Sequence, residues 1–145
     1  MGDQTVDAVI AYIEASPYRS AISGFEVCNE PVYYTDDQFQ TLLGFYERTY
    51  EKIAAMADPV PMMIHPGSPN SNPLDSMIPF INGKDPNLLV FTIHPYIGRG
   101  ASLQGLDATE GSLLDSLCST TSSYQDYPIP IAITEWSLIN PIVSC

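Results

Sequence analysis

Gly24-Phe25-Glu26-Val27-Cys28-Asn29-Glu30-Pro31 is a short apolar run that ends in an amide, a carboxylate and a proline. It reads as a buried strand that delivers Glu30 to an open edge. Downstream, Pro130-Ile131-Ala132-Ile133-Thr134-Glu135-Trp136-Ser137 repeats the layout, with a carboxylate again where the apolar residues stop. Strand alternation puts Glu26, Cys28 and Glu30 on one face and Phe25, Val27 and Asn29 on the other. A parallel barrel has a use for both faces, because helices cover its outside and side chains fill its inside. An acid at the last inward position then emerges at the carboxyl-terminal mouth, where such barrels place their chemistry. Glu26 lies one layer deeper and needs a partner, since a buried carboxylate without one costs several kcal/mol or stays protonated.

Working outward, helical periodicity alternates with apolar runs. Val6, Val9, Ile10 and Ile13 recur at helical spacing behind Asp3 and Thr5, either of which suits a cap, and the pattern stops at Ser16-Pro17. Thr35-Asp36-Asp37-Gln38 has the form of a capping box. Phe39, Leu42, Leu43, Tyr46, Tyr50, Ile53, Ala54 and Ala57 continue one apolar face until Asp58-Pro59 ends it. Val60 to His65 and Leu88 to His94 read as buried parallel strands, each with a polar residue at its exit. A short helix is expected within Asn72 to Ile81 and another over Leu106 to Cys118, followed by a Ser/Thr-rich loop over Ser119 to Asp126.

This alternation predicts βαβ units, with a parallel sheet under helices. Four strands do not close a barrel. The chain is therefore a small open α/β domain or the middle of a larger barrel of about 250 residues. An open sheet of this kind leaves two edges and an unfilled inner face, so Phe25, Val27, Val90 and Ile133 are expected to lose part of their burial.

At 145 residues and 45% apolar composition the chain is long enough for one domain with a core. Mean hydropathy is +0.02. Seventeen acidic and five basic residues give a net charge of −12, which disfavours nucleic acid and anionic membrane surfaces as partners and leaves neutral sugars unaffected. Cys28, Cys118 and Cys145 are too few and too far apart for a disulfide framework or a zinc site. Met1 to Thr5 has neither the basic nor the apolar region of a secretory leader, and no apolar run reaches the length of a membrane span, so a soluble chain is expected.

Asn29-Glu30-Pro31, His94-Pro95-Tyr96 and Glu135-Trp136-Ser137, each at the exit of an apolar strand, resemble the Asn-Glu-Pro, His-x-Tyr and Glu-Trp-Ser signatures of glycoside hydrolase family 5. The likeness is nearest to fungal exo-β-1,3-glucanases, whose Gly-Ile-Glu-x-x-Asn-Glu-Pro strand and long following helix are similar to Gly24–Pro31 and Thr35–Ala57. The resemblance implies a single, truncated catalytic domain over residues 1–145: an α/β fold forming part of a (β/α)8 TIM barrel, about strands four to seven. It further implies Glu30 as acid/base and Glu135 as nucleophile. Asn29 is then the amide beside the reacting sugar carbon, and His94 and Tyr96 are the pair that orients the nucleophile and binds substrate. A β-glucan or its oligosaccharide, most simply β-1,3-glucan, is the implied substrate. An extracellular or cell-wall setting is implied for a full-length relative.

Retaining hydrolysis by two carboxyl groups requires no metal or cofactor. Glu30, His65, His94 and Glu135 all sit at strand exits, yet no His pair at helical spacing supports a metal site, and His65 is a neighbour of the site only. Cys28 lies within its strand and reads as an inert thiol. Among Tyr33, Tyr34 and Trp136, Trp136 is the expected sugar platform, since flat apolar rings suit pyranose C–H faces. The alternative to an enzyme is an inactive barrel fragment with weak carbohydrate binding.

Overall fold

The computed structural model describes residues 2–67, 73–94, 96–97, 128–134 and 137–138. They belong to two compact bodies, one of Met1–Thr92 with Pro128–Pro130 and one of Ile93–Tyr127 with Ile131–Cys145. The expected helix over Leu106 to Cys118 and the loop after it lie outside the described residues.

In the first body, α1 spans Asp3–Ala15 and buries Val6 and Ile13. Its N-cap is Gly2, with no side-chain cap; the expectation of Asp3 or Thr5 there is corrected, because both already lie inside the first turn. Asp3 still serves that end, since a carboxylate complements the exposed N–H groups of a first turn. Helix α2, Asp36–Ala54, starts as the capping pattern predicts, with Thr35 Oγ1 accepting from the Gln38 N–H at 3.3 Å. The return bond reaches one residue further than in a standard box: Gln38 Oε1 accepts from the Tyr34 N–H at 2.7 Å. The buried stripe of α2 is Phe39, Tyr46, Thr49 and Ile53, and the helix stops at Ala54, short of the expected Asp58. Thr49 tolerates burial because its hydroxyl donates to the Phe45 carbonyl one turn back, at 2.8 Å. Helices α1 and α2 pack together, and at their rim Lys52 pairs with Asp7 at 2.7 Å and Arg48 with Asp3 at 3.3 Å.

Strands β1 (Phe25–Glu26), β2 (Met62–Ile64), β3 (Leu89–Ile93) and β5 (Ile131–Ile133) form one sheet in the order β1-β2-β3-β5. The first three are parallel and in register, Phe25 beside Met62 beside Leu89 and Glu26 beside Met63 beside Val90. Partners in a parallel ladder share a face, so Val27, Met62, Ile64, Leu89 and Phe91 lie together; all five are fully buried. Glu26, Met63 and Val90 lie on the other face and are half-buried. The first face is closed except for half-buried Phe25, and the second is partly open, with Thr92 as its fully buried member. Val27 is on the first face, which corrects the expectation that it loses burial; Phe25 and Val90 are half-buried and Ile133 is 43% exposed.

Helix α3, Pro73–Ile81, starts on a proline, whose missing N–H is one of the groups a helix start leaves unpaired anyway. Its Phe80 ring lies 6.0 Å from that of Tyr46. Lys84 stands over Phe80 at 4.4 Å from the ring centre and pairs with Glu47 of α2 at 2.7 Å.

In the second body, two-residue strands β4 (Tyr96–Ile97) and β6 (Ser137–Leu138) form a separate parallel pair with Tyr96 opposite Ser137. The sequence pattern gives no sign of either. Among the described residues, no helix is long and apolar enough to cross a membrane. The fold is α/β, with a four-stranded parallel sheet and helices.

Candidate active site

Glu30 is delivered by a bend and not by a strand. The ladder of β1 continues through Phe25 N–H to the Pro61 carbonyl at 2.9 Å and Val27 N–H to the Met63 carbonyl at 3.1 Å. Beyond it Asn29 and Glu30 form an exposed bend, with Glu30 at φ 42°. The expected placement of Glu30 as the last inward residue of β1 is therefore corrected: alternation holds only as far as the ladder does. A glutamate in the left-handed region costs about 1–2 kcal/mol relative to the right-handed one. Such strain is held only where the surroundings dictate it, commonly at functional sites.

Those surroundings are the exit loop of β2. Gly67 has φ 81°, and a Cβ there would lie 2.5 Å from the Pro31 carbonyl oxygen and 2.9 Å from Tyr33 Cε1. Only glycine lets the two loops approach so closely. His65 shapes the same loop from within, its Nδ1 accepting from the Gly67 N–H at 3.1 Å and its carbonyl accepting from the Tyr46 hydroxyl at 2.8 Å. Burial of Tyr46 pushes its phenol above the ordinary range. Tyr33 is buried against Phe39, ring centres 4.8 Å apart, and is not a sugar platform, whereas Tyr34 is 80% exposed.

One layer below the bend, Glu26 has the partner that the sequence left unnamed. The fully buried Thr92 donates to Glu26 Oε1 at 2.8 Å, across 66 residues of chain. Burial raises the Cys28 thiol above its ordinary range, with a minor contribution from the charge of Glu26. A thiol held protonated is a poor nucleophile, consistent with an inert Cys28.

In the second body, His94 Nε2 and Thr134 Oγ1 are 3.0 Å apart. Beyond them the backbone of Tyr96 pairs in parallel with that of Ser137. Glu135 and Trp136 themselves lie outside the described residues, and Tyr96 is described by its backbone.

Gly67, Thr92 and Thr134 escaped sequence reasoning. Of the three, only Gly67 had a local signal, as the glycine that closes His65-Pro66-Gly67 directly after a strand. A shallow groove of about 340 Å³, lined by Gln40, Leu43, Gly44, Glu47, Pro79 and Phe80, includes none of the site residues. Among the described residues no group of three or more His, Cys, Asp or Glu side chains is arranged to hold a metal ion.

No protein-family model matches the chain, and no curated protein matches it. Among solved structures it is similar to the crystal structure of AoRut, with a TM-score of 0.65 at 19% identity. The match covers 92% of this chain and 37% of that one, so the chain spans little more than a third of AoRut and shares its fold over that span.

Proposed function

We propose that the chain carries the two carboxylates of a retaining β-glucan hydrolase on a segment of a (β/α)8 barrel. Glu30 is the acid/base and Glu135 the nucleophile. In such a reaction two carboxyl groups stand about 5–5.5 Å apart. Glu135 attacks the anomeric carbon while Glu30 protonates the departing oxygen. Glu30, now a carboxylate, then activates the water that releases the sugar. Asn29 holds the hydroxyl beside the reacting carbon, His94 and Tyr96 orient the nucleophile and the sugar, and Trp136 offers a ring face. The chemistry calls on no metal or cofactor, and a neutral β-1,3-glucan suits a chain of charge −12.

The observation that carries this reading is the 3.0 Å contact of His94 with Thr134 together with the parallel pairing of Tyr96 with Ser137, which brings described residues of the His-x-Tyr motif beside described residues that flank and end the Glu-Trp-Ser motif. The exposed bend that holds Glu30 in a left-handed backbone supports the acid/base role.

The test is laminarin hydrolysis with each glutamate replaced by alanine, in the presence of azide. A small anion takes the place of whichever carboxylate is missing. Glu135→Ala is expected to give the α-glucosyl azide, by direct displacement, and Glu30→Ala the β-glucosyl azide, through the covalent intermediate. Turnover that survives both substitutions refutes the assignment. Laminarin binding without turnover by the unsubstituted chain favours the second reading, an inactive carbohydrate-binding fragment, for which the half-open sheet face around Met63 and Val90 is the motivating observation.

A further inference from the structure

We infer that Thr134 is a positioning residue for His94, acting through the 3.0 Å contact between its Oγ1 and the ring Nε2. The inference rests on the hydrolase reading for its catalytic consequence, while its structural part stands alone. His94 and Thr134 are each the first residue beyond a strand, β3 and β5 respectively. An exposed threonine hydroxyl has water available and gains little stability from one side-chain bond. What the bond supplies is orientation. An imidazole nitrogen offers one in-plane direction, a lone pair or an N–H, and here the hydroxyl takes the one at Nε2. Any further polar contact of the His94 ring, to a sugar or to another side chain, therefore runs through Nδ1 or the ring carbons.

The residue type fits this task. Threonine is stiff about χ1, so its hydroxyl is aimed by the backbone. The parallel pairing of Tyr96 with Ser137 ties the two stretches of chain together a few residues further on. A hydroxyl also donates to a bare nitrogen or accepts from an N–H, so the tether survives either protonation state of the ring. Its role is to hold an angle and not to set a charge.

The chain contains two histidines, which makes the experiment simple to read. Long-range proton–nitrogen spectra of imidazole-labelled full chain report the tautomer of each ring in wild type, Thr134→Val and Thr134→Ser. Valine keeps the shape and removes the hydroxyl; serine keeps the hydroxyl. The expected result is that Thr134→Val shifts the Nε2 signal of His94 and leaves that of His65, held by Gly67, in place, while Thr134→Ser restores it. On laminarin, Thr134→Val is expected to lower kcat by roughly five- to tenfold, the equivalent of one ordinary hydrogen bond, with KM changed by less than about twofold. Unchanged His94 signals in Thr134→Val overturn the inference, as do altered signals with unchanged kcat in an active chain. If the wild type turns over no glucan while the His94 signals respond as described, the hydrolase reading fails and the tether stands.

Discussion

Replacing Gly67 with alanine tests whether the close approach of two strand-exit loops holds the Glu30 bend, and Gly83→Ala is its internal control. Both glycines have a left-handed backbone, φ 81° and 83°. They differ in what a new methyl group meets. At Gly83 there is nothing within 4 Å, so alanine adds backbone strain alone, about 1–2 kcal/mol. At Gly67 the same strain is joined by contact with the Pro31 carbonyl oxygen and the Tyr33 ring. Neither neighbour is the free end of a flexible side chain, since one is backbone and the other is a ring packed on Phe39. Overpacking of this kind costs about 1–3 kcal/mol more, for a total of about 2–5 kcal/mol. Urea unfolding followed by circular dichroism reads the difference as a shift in midpoint at unchanged slope. If Gly67→Ala destabilises no more than Gly83→Ala, the loops do not brace one another and the account of the Glu30 bend is wrong.

Two buried tyrosines are expected to respond differently when each loses its hydroxyl. Tyr46→Phe leaves the His65 carbonyl without its donor and should cost about 1–3 kcal/mol, whereas the Tyr33 hydroxyl is buried and has no hydrogen-bond partner among the described residues, so Tyr33→Phe should be neutral or stabilise by about 1 kcal/mol in the same assay. The pH dependence has a definite sign: because folding raises the Tyr46 pKa, the unfolded chain loses that proton first, and the stability Tyr46 contributes is complete below about pH 10 and falls above it. Between wild type and Tyr46→Phe the stability gap should therefore narrow by about 1.4 kcal/mol per pH unit above about pH 10, and a gap that stays constant there counts against the buried phenol.

Helix α2 was legible in the sequence because five turns of one apolar stripe, opened by Thr35 and Gln38, leave little room for another structure. β2 and β3 were legible as apolar runs between helices. The register of Glu30 was not, since alternation is a property of a hydrogen-bonded ladder, and the ladder of β1 ends at Val27 while the apolar residues and the motif run on. β4 and β6 escaped because two residues are too few to show a period, and what stabilises them is a neighbour some 40 residues away. The same holds for the Glu26 and Thr92 bond. The helix start at Gly2 escaped for a different reason, because either Asp3 or Thr5 satisfies the local rule and only the backbone decides. Of the candidate site, the motifs and their order were on the page in the sequence; what joins them, Gly67 under Pro31 and Thr134 beside His94, is tertiary.

The pairing of Tyr96 with Ser137 is a main-chain match, indifferent to the side chains at either position. Spacing and chemistry are thereby separable in this part of the molecule. Substitutions at 96 and 137 other than proline can sample ring, hydroxyl and charge while the strand pairing is kept, so their effects report on side-chain chemistry instead of on displaced backbone. Among the described residues, the β4 and β6 pair is thus a place where side chains can be exchanged without removing the main-chain bonds that join the two strands.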